Sequence, residues 1–203
     1  MISKYQILYR PALLRSISAL ILFLTVLLIY SCNSEIQDKQ NQEKRFYDVA
    51  GFVSQQVVQL NDAKPRVLKM TVMGTETNQI ITTDIDWKKE LELFSQADIN
   101  KPAFRQSYSA NRPDSSTYLY VSKEGDRLPV RQLKIVVDSL NSPVSIEAIV
   151  KSENKLYTSE KTIAMSCEQS GKGIRISSYR VEGFQKLVMM EKKPFLIDAT
   201  IQN

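Results

Sequence analysis

Apolar positions along this 203-residue chain change their spacing from one stretch to the next, and each spacing predicts a different element. Ile17 to Tyr30 is apolar throughout except for Ser18 and Thr25. Asn33 to Lys44 then carries a single aliphatic residue, Ile36, and reads as a polar tether with nothing to bury. From Phe46 to Leu60 the spacing becomes helical. Phe46, Val49, Ala50, Val53, Val57 and Leu60 share one face, and Gln55, Gln56 and Gln59 lie away from it. Gly51 weakens this helix, and Asn61, Asp62 and Pro65 stop it. Its polar face lacks Lys and Arg, so it is expected on the domain's own sheet and not on a membrane surface. Beyond Phe104 the period drops to two.

Between these stretches, Arg66 to Met73 and Asn78 to Thr83 predict a hairpin around Gly74, with Leu68, Met70 and Val72 alternating with Lys69 and Thr71. A second helix follows. Asp84 or Asp86 caps it, Trp87, Leu91 and Phe94 form its buried stripe, and Asn100-Lys101-Pro102 ends it. Phe104 and Tyr108 open the strand-rich part. Strands are expected over 118–122, 130–138, 144–152, 156–168, 174–181, 184–191 and 195–201, separated by turns such as Glu124-Gly125-Asp126 and Gly171-Lys172-Gly173. In the last of them Phe195, Ile197, Ala199 and Ile201 point one way and Leu196, Asp198 and Thr200 the other, so one face is buried. The expected fold is α+β: two N-terminal helices packed on a curved antiparallel meander, half-barrel or sandwich-like, of roughly six to nine strands.

The N-terminal apolar run changes meaning once its flanks are read. Lys4, Arg10 and Arg15 precede it without any acid, and Ser31 and Cys32 follow. Ile17 to Tyr30 is shorter than the about 20 residues of a spanning helix; extended past Arg15 by Ala12, Leu13 and Leu14 it would be a single uncleaved span, which is the alternative reading. A basic region, a short apolar region and a small residue predict a secretory signal over residues 1–31, cut after Ser31. Ile29-Tyr30-Ser31-Cys32 resembles a lipobox, the motif of bacterial lipoprotein signals, with Tyr30 standing where Ser, Ala or Thr is commonest. The resemblance implies that the Cys32 thiol takes a diacylglycerol and becomes the new N-terminus. The chain then divides into a signal peptide (1–31), a lipid anchor with its tether (32–45) and one α+β domain (46–203).

Processing at Cys32 changes the charge argument. Residues 1–31 hold three of the 27 basic residues and none of the 22 acids, which leaves 24 against 22 in the mature chain. That balance, with basic pairs such as Lys88-Lys89 and Lys192-Lys193 scattered, gives no nucleic-acid footprint. With Cys32 lipidated, Cys167 has no disulfide partner and reads as an inert thiol in an apolar strand.

The chain contains no histidine, which removes His-based acid–base catalysis, Ser–His and Cys–His pairs and most catalytic zinc sites. Phosphate-binding glycine loops and the GxSxG nucleophile motif are also missing. No metal or cofactor is expected. Carboxylates remain, densest at Asp84, Asp86, Glu90 and Glu92, and are read as helix caps and a wet helix face. A calcium site among Asp62, Asp84 and Asp86 lacks the EF-hand spacing. Asp138-Ser139-Leu140 resembles the O-glycosylation acceptor of exported Bacteroidota proteins, although a plain turn serine explains Ser139 as well. Tyr118 and Tyr120 share a strand face that Phe104, Tyr108 and Phe184 could extend into an aromatic ligand surface or a core under the helices.

The arrangement as a whole resembles small outer-membrane lipoproteins of Bacteroidota. The residues carrying the likeness are the lipobox, the Gln-rich tether, Phe46-Tyr47-Asp48, and Asp86-Trp87-Lys88-Lys89-Glu90-Leu91-Glu92-Leu93-Phe94 running to Pro102. Architecture alone is similar to half-barrel lipoprotein carriers. The likeness implies an outer-membrane anchor, with Glu35 and Asp38 a thin version of the acids that accompany surface display, so both membrane faces stay open. The expected function is a non-catalytic envelope module binding a lipid, glycan or protein. A structural subunit of an envelope complex is the alternative, and a carboxylate enzyme comes third.

Overall fold

The first helix starts where its cap allows. In the computed structural model, which describes residues 44–171 and 173–202, α1 spans Val49–Ala63. The Asp48 carboxylate accepts the Gly51 N–H at 2.9 Å, and Lys64, in left-handed backbone at φ 45°, closes the other end by donating its N–H to Leu60 O. A Cβ on residue 51 would stand 2.1 Å from Asp48 Oδ2, so the glycine that weakens the helix leaves room for its cap. Phe46 precedes α1 and packs edge-on against Tyr108 and Tyr120. The signal, Tyr30, Ser31, Cys32 and the tether up to Glu43 lie outside the described residues.

The strands are β1 (Arg66–Met73), β2 (Glu76–Thr82), β3 (Tyr108–Asn111), β4 (Thr117–Ser122), β5 (Val130–Val137), β6 (Pro143–Glu153), β7 (Tyr157–Ser170), β8 (Gly173–Leu187) and β9 (Lys193–Gln202). They form one open antiparallel sheet in the order β2-β1-β9-β8-β7-β6-β5-β4-β3. Strands β3 to β9 are a meander, and the β1–β2 hairpin is added beyond β9. Pairing of Arg66 with Gln202 and of Met73 with Phe195 sets that junction.

Two expectations need correction. The strands expected at 174–181 and 184–191 are one strand, β8, because Glu182 and Gly183 pair continuously with both neighbours. Gly183 is there for a close approach: a Cβ would stand 2.2 Å from Glu160 O on β7. In place of a second continuous helix there are two short ones, α2 (Trp87–Glu90) and α3 (Glu92–Gln96), divided at Leu91. Asp86, not Asp84, caps α2 by accepting the Lys89 N–H. Phe104 belongs to a short 3-10 turn, Pro102–Phe104, ahead of β3.

The core occupies one face of the sheet. Val67, Leu133, Ile135, Ile146, Ile163, Met165, Tyr179 and Ala199 meet Val49, Val53, Trp87, Leu91 and Phe94 in one buried cluster. Helix α1 packs on α2, α3 and β8. Among the described residues no helix is long and apolar enough to cross a membrane.

Candidate functional site

The cleft of about 730 Å³ lies where α1 begins, beside the turn joining β5 to β6. Contacts between segments far apart in the chain build it. The Asn100 side chain, expected only to end a helix, clamps the chain leading into α1. Its Oδ1 accepts the Phe46 N–H at 3.0 Å and its Nδ2 donates to Tyr47 O at 3.0 Å. Tyr120 lies buried under Phe46 and accepts the Tyr47 N–H through its hydroxyl. Tyr47 is thereby held beside Tyr118, ring centroids 6.0 Å apart.

Tyr118 forms the far wall. Its hydroxyl donates to Asn141 Oδ1 at 2.7 Å, and the Arg112 guanidinium sits 4.2 Å over its ring. Asn141 takes a left-handed φ of 60° in a turn organised by Asp138, whose carboxylate accepts the Leu140 and Ser142 N–H groups. Ser139 is exposed in this turn. Gln55 and Gln59 on α1 line the side of the cleft, and Arg45 its rim. Burial, then the nearby Cys167 and Tyr118, pushes the Tyr47 hydroxyl up to about 12, so it is a neutral hydrogen-bonding group at ordinary pH.

The aromatic surface read from the sequence therefore divides. Tyr108 and Tyr120 are core, Phe104 packs edge-on against Tyr108, and Tyr118 opens to the cleft. Phe184 falls out of phase with buried Tyr179 and Val181 and belongs to the opposite sheet face, where Lys192 lies 4.2 Å over it.

The carboxylates do not converge. Asp86 pairs with Lys89, and Glu92 accepts from Gln96. Glu90 is a correction: it lies inward, taking Lys69 Nζ at 2.6 Å and the Tyr179 hydroxyl at 2.7 Å on one oxygen. Asp84 remains exposed. Among the described residues no cluster of three His, Cys, Asp or Glu could hold a metal ion. The Cys167 thiol is pushed up to about 12 by burial, far from the range of a nucleophile. Asp48, the acid among the described lining residues, is engaged as the α1 cap and pairs with Lys44.

Gln56 escaped the sequence reading. Expected away from the apolar face, it is 2% exposed. Its Nε2 donates to Ile174 O at 2.9 Å and its Oε1 accepts the Ile176 N–H at 2.8 Å. The signal was the spacing: 49, 53, 56 and 60 are one helical stripe.

In comparison with known proteins, no family model, no curated protein and no solved structure matches this chain.

Proposed function

We propose that this chain is an exported lipoprotein, anchored through Cys32 to the outer membrane, whose domain binds a polar envelope ligand, a glycan, without catalysis. The observation that carries the reading is the open cleft in which Tyr47, Tyr118, Gln55, Gln59 and Asn141 stand together. Tyrosine rings and side-chain amides present apolar faces edged by donors and acceptors, which suits a sugar ring. The filled core face supports a glycan over a lipid: Trp87, Leu91 and Phe94 are buried against the sheet, in the place an acyl chain would take.

The test is titration of the purified full chain with envelope oligosaccharides, followed by calorimetry. Tyr118→Ala is expected to weaken binding at least about tenfold with unfolding temperature within a few degrees of the parent. Oligosaccharides that fail to bind, or bind the variant equally, would sink the reading.

The structural-subunit reading draws support from β2. This edge strand is seven residues long with one charged residue, Glu76, and it exposes Ile80 and Ile81. Edge strands of this kind pair with other chains unless guarded. A stoichiometric partner that co-purifies in detergent and is lost in Ile81→Lys would support this reading instead.

A further inference from the structure

The end of the sheet opposite the cleft carries an apolar tip that the fold does not require. There, the β6–β7 turn and the β8–β9 turn are joined by the Val188 N–H donating to Leu156 O at 3.0 Å. Strand β7 alone separates the tip from the cleft end by roughly 45 Å. Met189 is 100% exposed and Leu156 71%, and Leu187, Val188 and Met190 are each about half exposed. These are five large apolar side chains on two adjoining turns. Turns ordinarily carry Gly, Asn, Asp or Ser. Met189 moreover adopts a left-handed φ of 64°, a conformation that glycine or asparagine adopts at less cost. Nothing in the core explains a methionine there.

The charges around the tip are one-sided. Lys155, Lys186 and Lys193 flank it, with Lys192 folded over Phe184, against Glu191; the next acid, Glu153, has Lys151 4.0 Å away. Long lysine stems reach outward past an apolar centre and keep the ammonium groups in water. The tip is also small. Five side chains present roughly 500 Å², below the about 800 Å² that each partner buries in a stable protein interface. A narrow, convex, apolar point with a basic collar matches a lipid surface whose headgroups carry negative charge.

We propose that the paired turns 154–156 and 187–191 form a wedge that enters an anionic bilayer surface. Leu156, Val188 and Met189 reach the acyl boundary while Lys155, Lys186 and Lys193 meet the headgroups. This contact is separate from the anchor at Cys32, and the glycan reading can fail without touching it.

The experiment uses the full chain on vesicles that contain a photoactivatable phospholipid, with crosslinked peptides mapped by mass spectrometry. One vesicle set is phosphatidylcholine alone and the other adds phosphatidylglycerol. Crosslinks are expected on 156 and 187–190 in the phosphatidylglycerol vesicles. They should fall at least about tenfold in phosphatidylcholine and in V188E/M189E, which alters only exposed positions. Crosslinks confined to residues before 44, or tip crosslinks that ignore the lipid charge or survive V188E/M189E, would overturn the proposal. So would an unlabelled tip on a chain that is dimeric in the parent and monomeric in V188E/M189E, which would seat a second copy there.

Discussion

Gln56 shows how a single polar side chain can complete a sheet. It sits on α1, yet its amide spans Ile174 O and Ile176 N–H, the part of β8 that precedes its first pairing with β9 at Ser178. A primary amide can aim one N–H and its carbonyl oxygen at about the spacing a neighbouring strand would present, with its second N–H left for Gln59. Leucine fits the volume and offers neither. Gln56→Leu leaves one buried and one half-buried backbone group unpaired, each costing up to about 1–3 kcal/mol, offset in part by extra apolar burial. The expected loss is about 2–4 kcal/mol, read from urea unfolding of the full chain, with faster hydrogen exchange at the Ile176 amide. A loss under about 1 kcal/mol would mean that water replaces the side chain.

At the level of elements, Gly183 holds β7 and β8 together. These strands pair from Tyr157 with Leu187 to Ser170 with Gly173, interrupted by a bulge at Ser166 and Cys167. Opposite Lys161, residue 183 has no room for a Cβ, and the atom in the way is a backbone carbonyl, which cannot rotate aside. Gly183→Ala should therefore destabilise by about 1–3 kcal/mol, as overpacking does, against the small gain alanine usually brings to a strand. Thermal unfolding checks the sign; a neutral or stabilised variant would show that the two strands part without cost. The two sheet edges also differ. Strand β3 is four residues long and runs into Arg112 and Pro113, which blunt it, whereas β2 carries no such guard.

At the scale of the whole molecule, the largest shifts among the described residues place a pH dependence on the alkaline side. With no histidine, no side chain at its ordinary value titrates between about pH 6 and 8. Burial pushes Tyr47, Tyr108 and Cys167 each up to about 12, and raises Tyr179 further through burial and the Glu90 carboxylate. The folded state keeps these protons at pH values where the unfolded chain releases them. The stability they contribute is complete below their unfolded values of about 9–10 and is lost as pH rises through 12. The unfolding temperature is expected to be level from about pH 6 to 8 and to fall above about pH 9. A steep change near neutrality would contradict this.

Local pattern determined much of this protein: the antiparallel meander, most strand positions, the burial of Trp87, Leu91 and Phe94, and the core face of β9. Alternation and helical spacing are properties of neighbouring residues, so they can be read along one chain. The basic, apolar and small-residue zones ahead of Cys32 are equally local, and the lipoprotein reading rests on them. Tertiary structure alone decided what distant segments do to each other. It extended β8 through Gly183, turned Glu90 inward to Lys69, buried Gln56 against Ile174 and Ile176, and made Asn100 the clamp that sets Tyr47 beside Tyr118. It also divided the aromatics, leaving Tyr118 open to the cleft and placing Phe184 on the other face. Each outcome depends on a partner more than twenty residues away, on register or on a local close approach; period marks at most the face a residue takes, as for Gln56 and Phe184, and not the partner it meets there.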